Sequence, residues 1–592
     1  MAANQEPTLT KRTRRNMEKT NQGTTTKERF IREKIRNMSP EQKVGALMTL
    51  GFNGTYLTPN ILDSVQKYHC GGLRLTPSER TFGTYVDPRT GKSIVNLKGN
   101  EYHYKGKHAP ELTGGEYKTI LDKLKTIATA RPGSLPLHFS FDNEGDGNEA
   151  NCSFTGFSMF PKPMGLQATG ELSYAYEAAK CIGRQARSVG MNIIHSPVLD
   201  VNSDPRNPEI NIRAYSDQGE IVARWASESC RGFRDAGVIA TAKHFPGRGH
   251  SPDDAHYGVP VIDVDFDTLW ARELLPYRVL IEQNLLPSIM LAHGIYPSLD
   301  PEHLSTVSKK IITGLLRDKM TFSGVITTDS MTMGSVATRY GVPEACAMSL
   351  AAGADLVLMK AQNEMVDQTF QAIFSYVEKG QISEAELDAK LERIFSMKYD
   401  YGLFSNEIRE SPESVTNDPH IKQIAREIAD KSVKILKDTE HLLPLKAEDK
   451  LLFIEQITTT RNSMGQHPAM MFEQIIKRNS QVAFLEIGFS ADEQDKQRIH
   501  ELVARFDKIV ITSFYNRAEP SNTAFFREII ALHPGKKFII VTNTPYELSI
   551  PGNAETVICT YSTTSDSLHS AVKVLFGEIK QEGVRLFEQN LW

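Results

Sequence analysis

Residues 243–256 carry the side chains that a general acid/base needs. Lys243 and His244 end an apolar run, and the Pro- and Gly-rich stretch after them predicts a mobile loop. On this loop Asp254 and His256 flank one small residue, and alternate side chains of extended backbone point the same way. A carboxylate placed there can orient the imidazole and raise its pKa. An isolated D-x-H triplet is usually a surface loop, but this context favours an acid/base pair.

Residues 324–333 supply a second reactive group. An apolar run delivers one carboxylate, Asp329, with no Lys or Arg near it in the sequence. Such a carboxylate is suited to attack an electrophilic carbon or to stabilise a developing cation. Taken alone, it could equally cap the N-terminus of a helix. Together with the D-x-H loop it predicts covalent catalysis assisted by an acid/base.

The elements that must position these residues are short apolar runs separated by amphipathic stretches. They predict strands at 71–75, 135–141, 191–198, 238–242, 288–292, 324–327 and 355–359. Near-continuous apolar strands that alternate with helices predict a parallel sheet covered on both faces. Polar residues stand at or just past the strand ends, namely Asp142, Asp200, Lys243, His244, His293 and Asp329. Because catalytic side chains collect at that rim of a (β/α)₈ barrel, we predict a TIM-like barrel.

A second unit is predicted after the barrel. Apolar runs at 433–436, 451–454, 482–487, 509–512, 538–542 and 557–559 predict further strands without a comparable polar rim. We therefore expect an α/β protein with a TIM-like barrel domain at 29–400, a linker at 401–425 and a smaller α/β sandwich domain at 426–592. The polar residues 1–28 predict a flexible tail, and 77–115 a long loop or insertion. The second domain is expected to stabilise the barrel's site or to lend it a loop.

Composition excludes several classes of function. The 592 residues exceed what one core supports, and the net charge of -4 gives no footprint for nucleic acid or an acidic membrane. The six cysteines lack C-x-x-C spacing, and no dinucleotide fingerprint, P-loop or H-E-x-x-H motif occurs. No apolar run is long enough to span a bilayer. We expect a cytoplasmic protein with a small neutral substrate, no cofactor, no metal, and no nucleic-acid or membrane partner.

Six motifs follow one another in a recognisable order between residues 37 and 405. They are MSPEQKVG at 38–45, DNEG at 142–145, SPVLDV at 196–201, NIRAYS at 211–216, the loop at 243–256 and TDSMTM at 328–333. By these motifs the sequence resembles glycoside hydrolase family 3. Family 3 β-glucosidases typically place Trp after the nucleophile and recruit a Glu acid/base from the second domain. Here Ser330 follows Asp329 and the loop carries D-x-H, which favours the two-domain β-N-acetylglucosaminidase branch.

The resemblance implies an activity and a set of site residues. The activity is that of a retaining β-N-acetylhexosaminidase, which releases terminal β-linked N-acetylglucosamine through a covalent glycosyl-enzyme intermediate. In this reading Asp329 is the nucleophile, and Asp254 with His256 forms the acid/base dyad. The positions expected to bind sugar hydroxyls are Asp142, Arg213, Lys243 and His244.

The sequence departs from the family pattern in two places and leaves alternatives open. The pattern D-x-E-G-G-x-V-x-R reads DNEGDGNEA over 142–150, so an Arg that helps to hold the sugar is lost, and Arg248 stands where the loop usually has His. A family 3 phosphorylase is one alternative, because a neutral His repels phosphate less than a Glu does. A β-glucosidase is another, and a non-catalytic sugar-binding barrel is a third. The choice between N-acetylglucosamine and N-acetylgalactosamine stays open.

Overall fold

The computed structural model describes residues 25–54, 57–76, 85–86, 93–94, 113–130, 135–146, 154, 156–255, 258–361, 364–405, 410–456, 471–488, 490–515 and 521–580. Within these residues the chain forms a closed eight-stranded barrel and a separate six-stranded sheet, with helices packed around both. The predicted α/β class with a TIM-like barrel is therefore confirmed.

The barrel strands follow one another around the ring in chain order, and all neighbours pair in parallel. They are β1 (Met48–Asn53), β2 (Gly72–Thr76), β3 (His138–Phe141), β4 (Ile193–Ile194), β5 (Ile239–Phe245), β6 (Ser288–Leu291), β7 (Val325–Ser330) and β8 (Leu356–Met359). Seven of them overlap predicted strands, and β1 was missed. Its six residues are all buried, but they begin two residues after a helix and include Gly51.

Helices cover the outside of the barrel. The longer ones are Thr26–Arg36, Gly114–Thr129, Ser173–Val189, Gly219–Asp235, Lys310–Lys319, Val342–Ala352, Glu364–Glu378 and Glu384–Asp400. Shorter helical segments are Pro40–Ala46, Pro59–Gln66, Pro163–Ala168, Asn211–Arg213, Phe266–Thr268, Leu269–Glu273, Leu275–Glu282, Ser305–Val307 and Gly334–Ala337. Ser39 and Gln42 form the predicted capping box at the start of Pro40–Ala46.

The second sheet has the strand order β9-β14-β13-β12-β10-β11, and only β9 runs antiparallel to its neighbour. Its strands are β9 (Lys434–Asp438), β10 (Leu451–Gln456), β11 (Val482–Ile487), β12 (Lys508–Ser513), β13 (Lys537–Thr542) and β14 (Thr556–Cys559). The accompanying helices are Pro412–Thr416, Pro419–Ser432, Met471–Ile476, Glu493–Val503, Thr523–Leu532 and Ser565–Leu575. Separate apolar clusters fill the two faces of the sheet.

Three of the predicted irregular segments differ from expectation or lie partly outside the described residues. A helix begins at Thr26, inside the predicted tail, because Thr25 and Glu28 form a capping box. Of residues 77–115, the structure describes a short antiparallel pair, Tyr85–Val86 with Ser93–Ile94, and the start of one helix. Helices occupy much of the described part of 401–425. Among the helices described, none is long and apolar enough to cross a membrane.

An apolar cluster joins the barrel to the second sheet. Met164, Ala168 and Ile212 from the barrel side pack against side chains that surround the end of β14, namely Tyr546, Cys559 and Tyr561. Ile212 belongs to the short helix Asn211–Arg213 at the barrel mouth. The second sheet therefore supports the face of the barrel on which the predicted site residues lie.

Candidate active site

Asp329 lies near the end of β7 at the barrel mouth, as the apolar run before it predicted. Its Oδ1 accepts a hydrogen bond of 2.7 Å from the backbone N–H of Ser330. Its Oδ2 lies 3.6 Å from Arg248 Nη1 and 3.8 Å from His244 Nε2. Burial would raise the pKa of Asp329, but the charge of Arg248, followed by those of His293 and Lys243, outweighs it and holds the pKa at about 2. The group is thus a carboxylate at neutral pH.

A buried network of charges faces Asp329 across the mouth. Lys243 Nζ lies 3.1 Å from Asp142 Oδ1 and 2.6 Å from Glu144 Oε1. Arg213 donates two hydrogen bonds to Glu144, of 2.7 and 3.0 Å, and Arg74 forms an ion pair with Asp142. Burial would raise the pKa of Asp142, but Arg74 and Lys243 hold it well below its usual range. The predicted pair Asp142 and Lys243 is therefore in direct contact, and Arg213 joins it through Glu144.

The exposure of each side chain shows which members of this network can contact a ligand. The side chains of Asp142 and Asp329 are each 16% exposed, whereas that of Glu144 is fully buried. Gly145, which follows Glu144, has a φ of +111°, and a Cβ there would collide with the carbonyl of Pro161. The tight turn places Asp142 at the opening and keeps Glu144 behind it. Asp142 and Asp329 are thus available to a substrate, and Glu144 orients their cationic neighbours.

Both ring nitrogens of His244 are engaged by protein groups. Nδ1 lies 2.7 Å from Asp200 Oδ2, and Nε2 lies 2.9 Å from Arg248 Nη2. Because a guanidinium can only donate, Nε2 accepts and Nδ1 carries the proton that is donated to Asp200. Burial, with the nearby Arg248 charge, lowers the pKa of His244 well below its ordinary value. His244 is therefore neutral, and it can bind a sugar hydroxyl only by giving up one of these partners.

The loop that follows β5 is fixed at several points. Gly249 packs so closely on the Val201 carbonyl that no Cβ would fit. The Ala255 N–H donates to Glu209 Oε2 at 3.3 Å, and the Gly258 N–H donates to the Asp254 carbonyl at 3.0 Å. Asp254 is half-buried, and the predicted acid/base His256 lies outside the described residues. Backbone hydrogen bonds thus hold Asp254 and Ala255, the first two residues of the triplet.

The second sheet makes polar contacts with the same rim. Asp146 Oδ2 accepts hydrogen bonds from Ser562 Oγ and the Thr563 N–H, both of 2.6 Å. Thr544 Oγ1 donates to Asn211 Oδ1 at 2.6 Å. Asp146 closes the turn that bears Asp142 and Glu144, and Asn211 begins the helix that bears Arg213. The second sheet therefore steadies two of the segments that form the mouth.

Asp146→Ala should lower the free energy of unfolding by about 1.5–3 kcal/mol, because it leaves the buried Ser562 and Thr563 donors without their charged acceptor. Denaturant titration of the full chain measures this. Ser562→Ala is the matched control and should cost less, since the Thr563 N–H still binds Asp146. Equal losses for the two variants would contradict the assignment.

Lys243→Ala should lower kcat/KM by ~10–150-fold, which corresponds to the 1.5–3 kcal/mol typical of a hydrogen bond to a charged group. The physical reason is that Asp142 and Glu144 lose the cation between them. Arg213→Ala should fall in the same range. Initial rates on an aryl glycoside measure both, and Lys123→Ala on an exposed helix position is the control. Wild-type kinetics for both site variants would remove the network from substrate binding.

Several site residues were missed at the sequence level. Arg74, Glu144, His195, Glu209 and the role of Arg248 emerge only from contacts between distant parts of the chain. One signal was available for Arg74, since an Arg inside the apolar strand G-L-R-L-T is costly to bury without a partner. Glu144 was visible inside the DNEG motif, but its charge pairing was not.

The described residues contain one cluster of side chains that could hold a metal ion. One group, Asp300, Glu302 and His303, brings ligand atoms within 4.8 Å of one another. Asp300 already accepts from Ser308 at 2.7 Å and lies 3.7 Å from Lys310. Hydrogen bonds and ion pairs within the protein thus account for Asp300, the buried member of this group.

The chain is similar to proteins that are named as glycosyl hydrolases and β-hexosaminidases. The family model described as "Glycosyl hydrolase family 3 N terminal domain" matches residues 114–397. "Beta-hexosaminidase A" of Pseudoalteromonas piscicida is 27% identical over 413 residues, which are 66% of this chain and 67% of that protein. "Beta-hexosaminidase LpqI" of Mycobacterium tuberculosis is 31% identical over 288 residues, 47% of this chain and 72% of that protein. The solved family 3 β-N-acetylglucosaminidase of Paenibacillus sp. superposes with a TM-score of 0.80 at 27% identity, covering 92% of this chain and 97% of that one.

Proposed function

The chain belongs to glycoside hydrolase family 3, and from that premise we propose that it is a retaining β-N-acetylhexosaminidase. It releases terminal β-linked N-acetylglucosamine through a covalent glycosyl-enzyme intermediate. Its substrate is a small carbohydrate glycoside. Relatives named β-hexosaminidase, together with the β-N-acetylglucosaminidase that shares the fold over nearly the whole chain, support this choice of sugar.

The single observation that carries the proposal is the state of Asp329. It is an ionised carboxylate at the barrel mouth, with one oxygen bound by the Ser330 N–H and the other turned toward Arg248 and His244. A carboxylate whose pKa is about 2 is both a competent nucleophile and a good leaving group, so it serves formation and hydrolysis of a glycosyl ester alike. Its position matches the rim where barrel enzymes act.

The first half of the reaction breaks the glycosidic bond. Asp329 Oδ2 attacks the anomeric carbon, and His256 gives its proton to the departing oxygen. Asp254 orients the imidazole and stabilises its protonated form. The aglycone leaves as a neutral alcohol, the sugar is esterified to Asp329, and His256 is neutral.

The second half restores the enzyme. His256 takes a proton from water, the water oxygen attacks the anomeric carbon, and the bond to Asp329 breaks. Two displacements return the β-configuration. Asp142 and Lys243 bind sugar hydroxyls, Arg213 and Glu144 hold them in place, and His244 acts chiefly by orienting Arg248.

A panel of p-nitrophenyl β-glycosides tests the proposal. We expect N-acetylglucosaminide to be cleaved fastest, with N-acetylgalactosaminide and glucoside as comparisons. Each assay is run with and without inorganic phosphate. Release of free sugar at a rate that phosphate does not change supports a hydrolase.

Three other outcomes would each overturn part of the proposal. Formation of a sugar 1-phosphate would identify a phosphorylase. A preference for glucoside would identify a β-glucosidase. Binding of sugar without any turnover would identify a sugar-binding barrel.

A further inference from the structure

Glu209 and Arg248 form a buried ion pair inside the barrel mouth, and Glu209 takes no part in the proposed catalytic steps. Both residues are only 3% exposed. Arg248 Nη2 donates to Glu209 Oε1 at 2.8 Å, and Glu209 Oε2 accepts from the Ala255 N–H. One carboxylate thus holds both the guanidinium and the loop that carries Asp254 and His256. Because burying two charges is costly, the pair needs a reason beyond stability.

Arg248 keeps two donors that no described residue uses. Its Nε and Nη1 are buried and have no hydrogen-bond partner among the residues that the structure describes. Nη1 points toward the nucleophile and lies 3.6 Å from Asp329 Oδ2. Unpaired donors on a buried cation are unfavourable, so an acceptor on a bound ligand would be stabilised at this position.

The chemistry of the reacting carbon limits which acceptor this can be. The carbon attacked by Asp329 carries the glycosidic oxygen, the ring oxygen and C2. The glycosidic oxygen receives its proton from His256 on the acid loop in the proposed mechanism. Positive charge develops on the ring oxygen in the transition state, so a guanidinium beside it would raise the barrier. The substituent on C2 is the remaining neighbour, and both a hydroxyl and an acetamido carbonyl offer an acceptor oxygen.

We propose that Arg248 binds the oxygen of the C2 substituent of the sugar beside the nucleophile, and that Glu209 positions it for this role. The inference rests on the proposed glycosidase function and names the residue that discriminates at C2. His244 contributes by accepting from Nη2, which turns Nη1 toward Asp329. A sugar without an acceptor at C2 gains nothing from Arg248, and a 2-amino sugar, which is cationic, is repelled by it.

The test compares two p-nitrophenyl glycosides that share a leaving group and differ at C2, the β-N-acetylglucosaminide and the 2-deoxy-β-glucoside. In Arg248→Gln the ratio of their kcat/KM values should fall by ~10–150-fold relative to wild type, the range expected for a lost charged hydrogen bond. An equal loss on both substrates would overturn the proposal, because a purely structural or electrostatic role affects both alike. If Arg248→Gln does not fold, the double variant Glu209→Gln, Arg248→Gln removes both buried charges together and is measured in the same way.

Wild-type rates separate this inference from the proposed function. If the wild type prefers a glucoside, the proposed sugar is wrong, and the ratio of glucoside to 2-deoxyglucoside still tests Arg248. If no glycoside is turned over, calorimetric binding of N-acetylglucosamine and of 2-deoxyglucose gives the same ratio for wild type and variant. A wild type that binds neither sugar would overturn both claims.

Discussion

Asp329→Ala should lower kcat on an aryl N-acetylglucosaminide by on the order of 10⁴-fold or more, because the proposed glycosyl ester forms on its carboxylate. Proton NMR of the wild-type reaction should show the β-anomer as the first product. Azide added to the Asp329→Ala variant should restore turnover of an activated substrate and give the α-glycosyl azide, since a small anion can then attack from the vacated side. Asp253→Asn, at an exposed position of the acid loop, is the control.

An α-anomer as first product would contradict a retaining mechanism, and a fluorosugar adduct trapped on another residue would contradict the nucleophile. Asp329 should also make the stability of the protein depend on pH. The pKa of its carboxyl group is lowered in the folded state from 3.8 to about 2. Its contribution to stability is therefore fully present above about pH 4 and is lost as the pH falls toward 2. In Asp329→Ala this part of the acid-induced loss should disappear.

His256→Ala should slow glycosides with basic leaving groups by roughly 10²–10⁴-fold, because the departing alkoxide then lacks a proton donor. A dinitrophenyl glycoside should lose far less, since its phenolate departs without help. Kinetics on a series of leaving groups of increasing pKa measure the contrast. A deficit that does not depend on leaving-group pKa would remove His256 from the mechanism and direct the search for the acid to the second sheet.

Asp254→Asn should show the same dependence in milder form. The carboxylate stabilises the protonated imidazole, so its loss should move the basic limb of the pH–rate profile toward lower pH. Asp253→Asn, one residue away, should leave the limb in place. This pair of neighbouring substitutions separates a specific partner of His256 from a general effect of charge on the loop.

Local patterns in the sequence were enough to predict most of the fold. Seven barrel strands and all six strands of the second sheet overlap apolar runs of the sequence. Burial on both faces explains these runs in the barrel and in β10, β12, β13 and β14, whereas the edge strands β9 and β11 are only partly buried. β1 was missed because Met48–Asn53 contains polar residues and Gly51 and begins almost directly after a capped helix. Its identity depends on pairing with β2 and β8, which are distant in the sequence.

The site was predictable to the extent that its residues lie at strand ends. Asp142, Lys243 and Asp329 each follow or end an apolar run, and the barrel topology then gathers them. The charge pairs Arg74–Asp142 and Glu209–Arg248 join residues 68 and 39 positions apart. No local pattern encodes such pairs. The sequence alone shows that Arg248 stands at a position that usually holds His. Its ion pair with Glu209 is seen only in the structure.

The residues of the second sheet that contact Asp146 and Asn211 are synthesised after the barrel strands. All eight barrel strands precede residue 360, whereas Thr544, Ser562 and Thr563 are synthesised about 200 residues later. At ordinary elongation rates about 200 residues take roughly 10–40 s to emerge. Throughout that interval a nascent barrel lacks the hydrogen bonds that hold the turn bearing Asp142 and the helix bearing Arg213. We therefore expect the nascent barrel to bind sugar tightly only after these later residues have emerged.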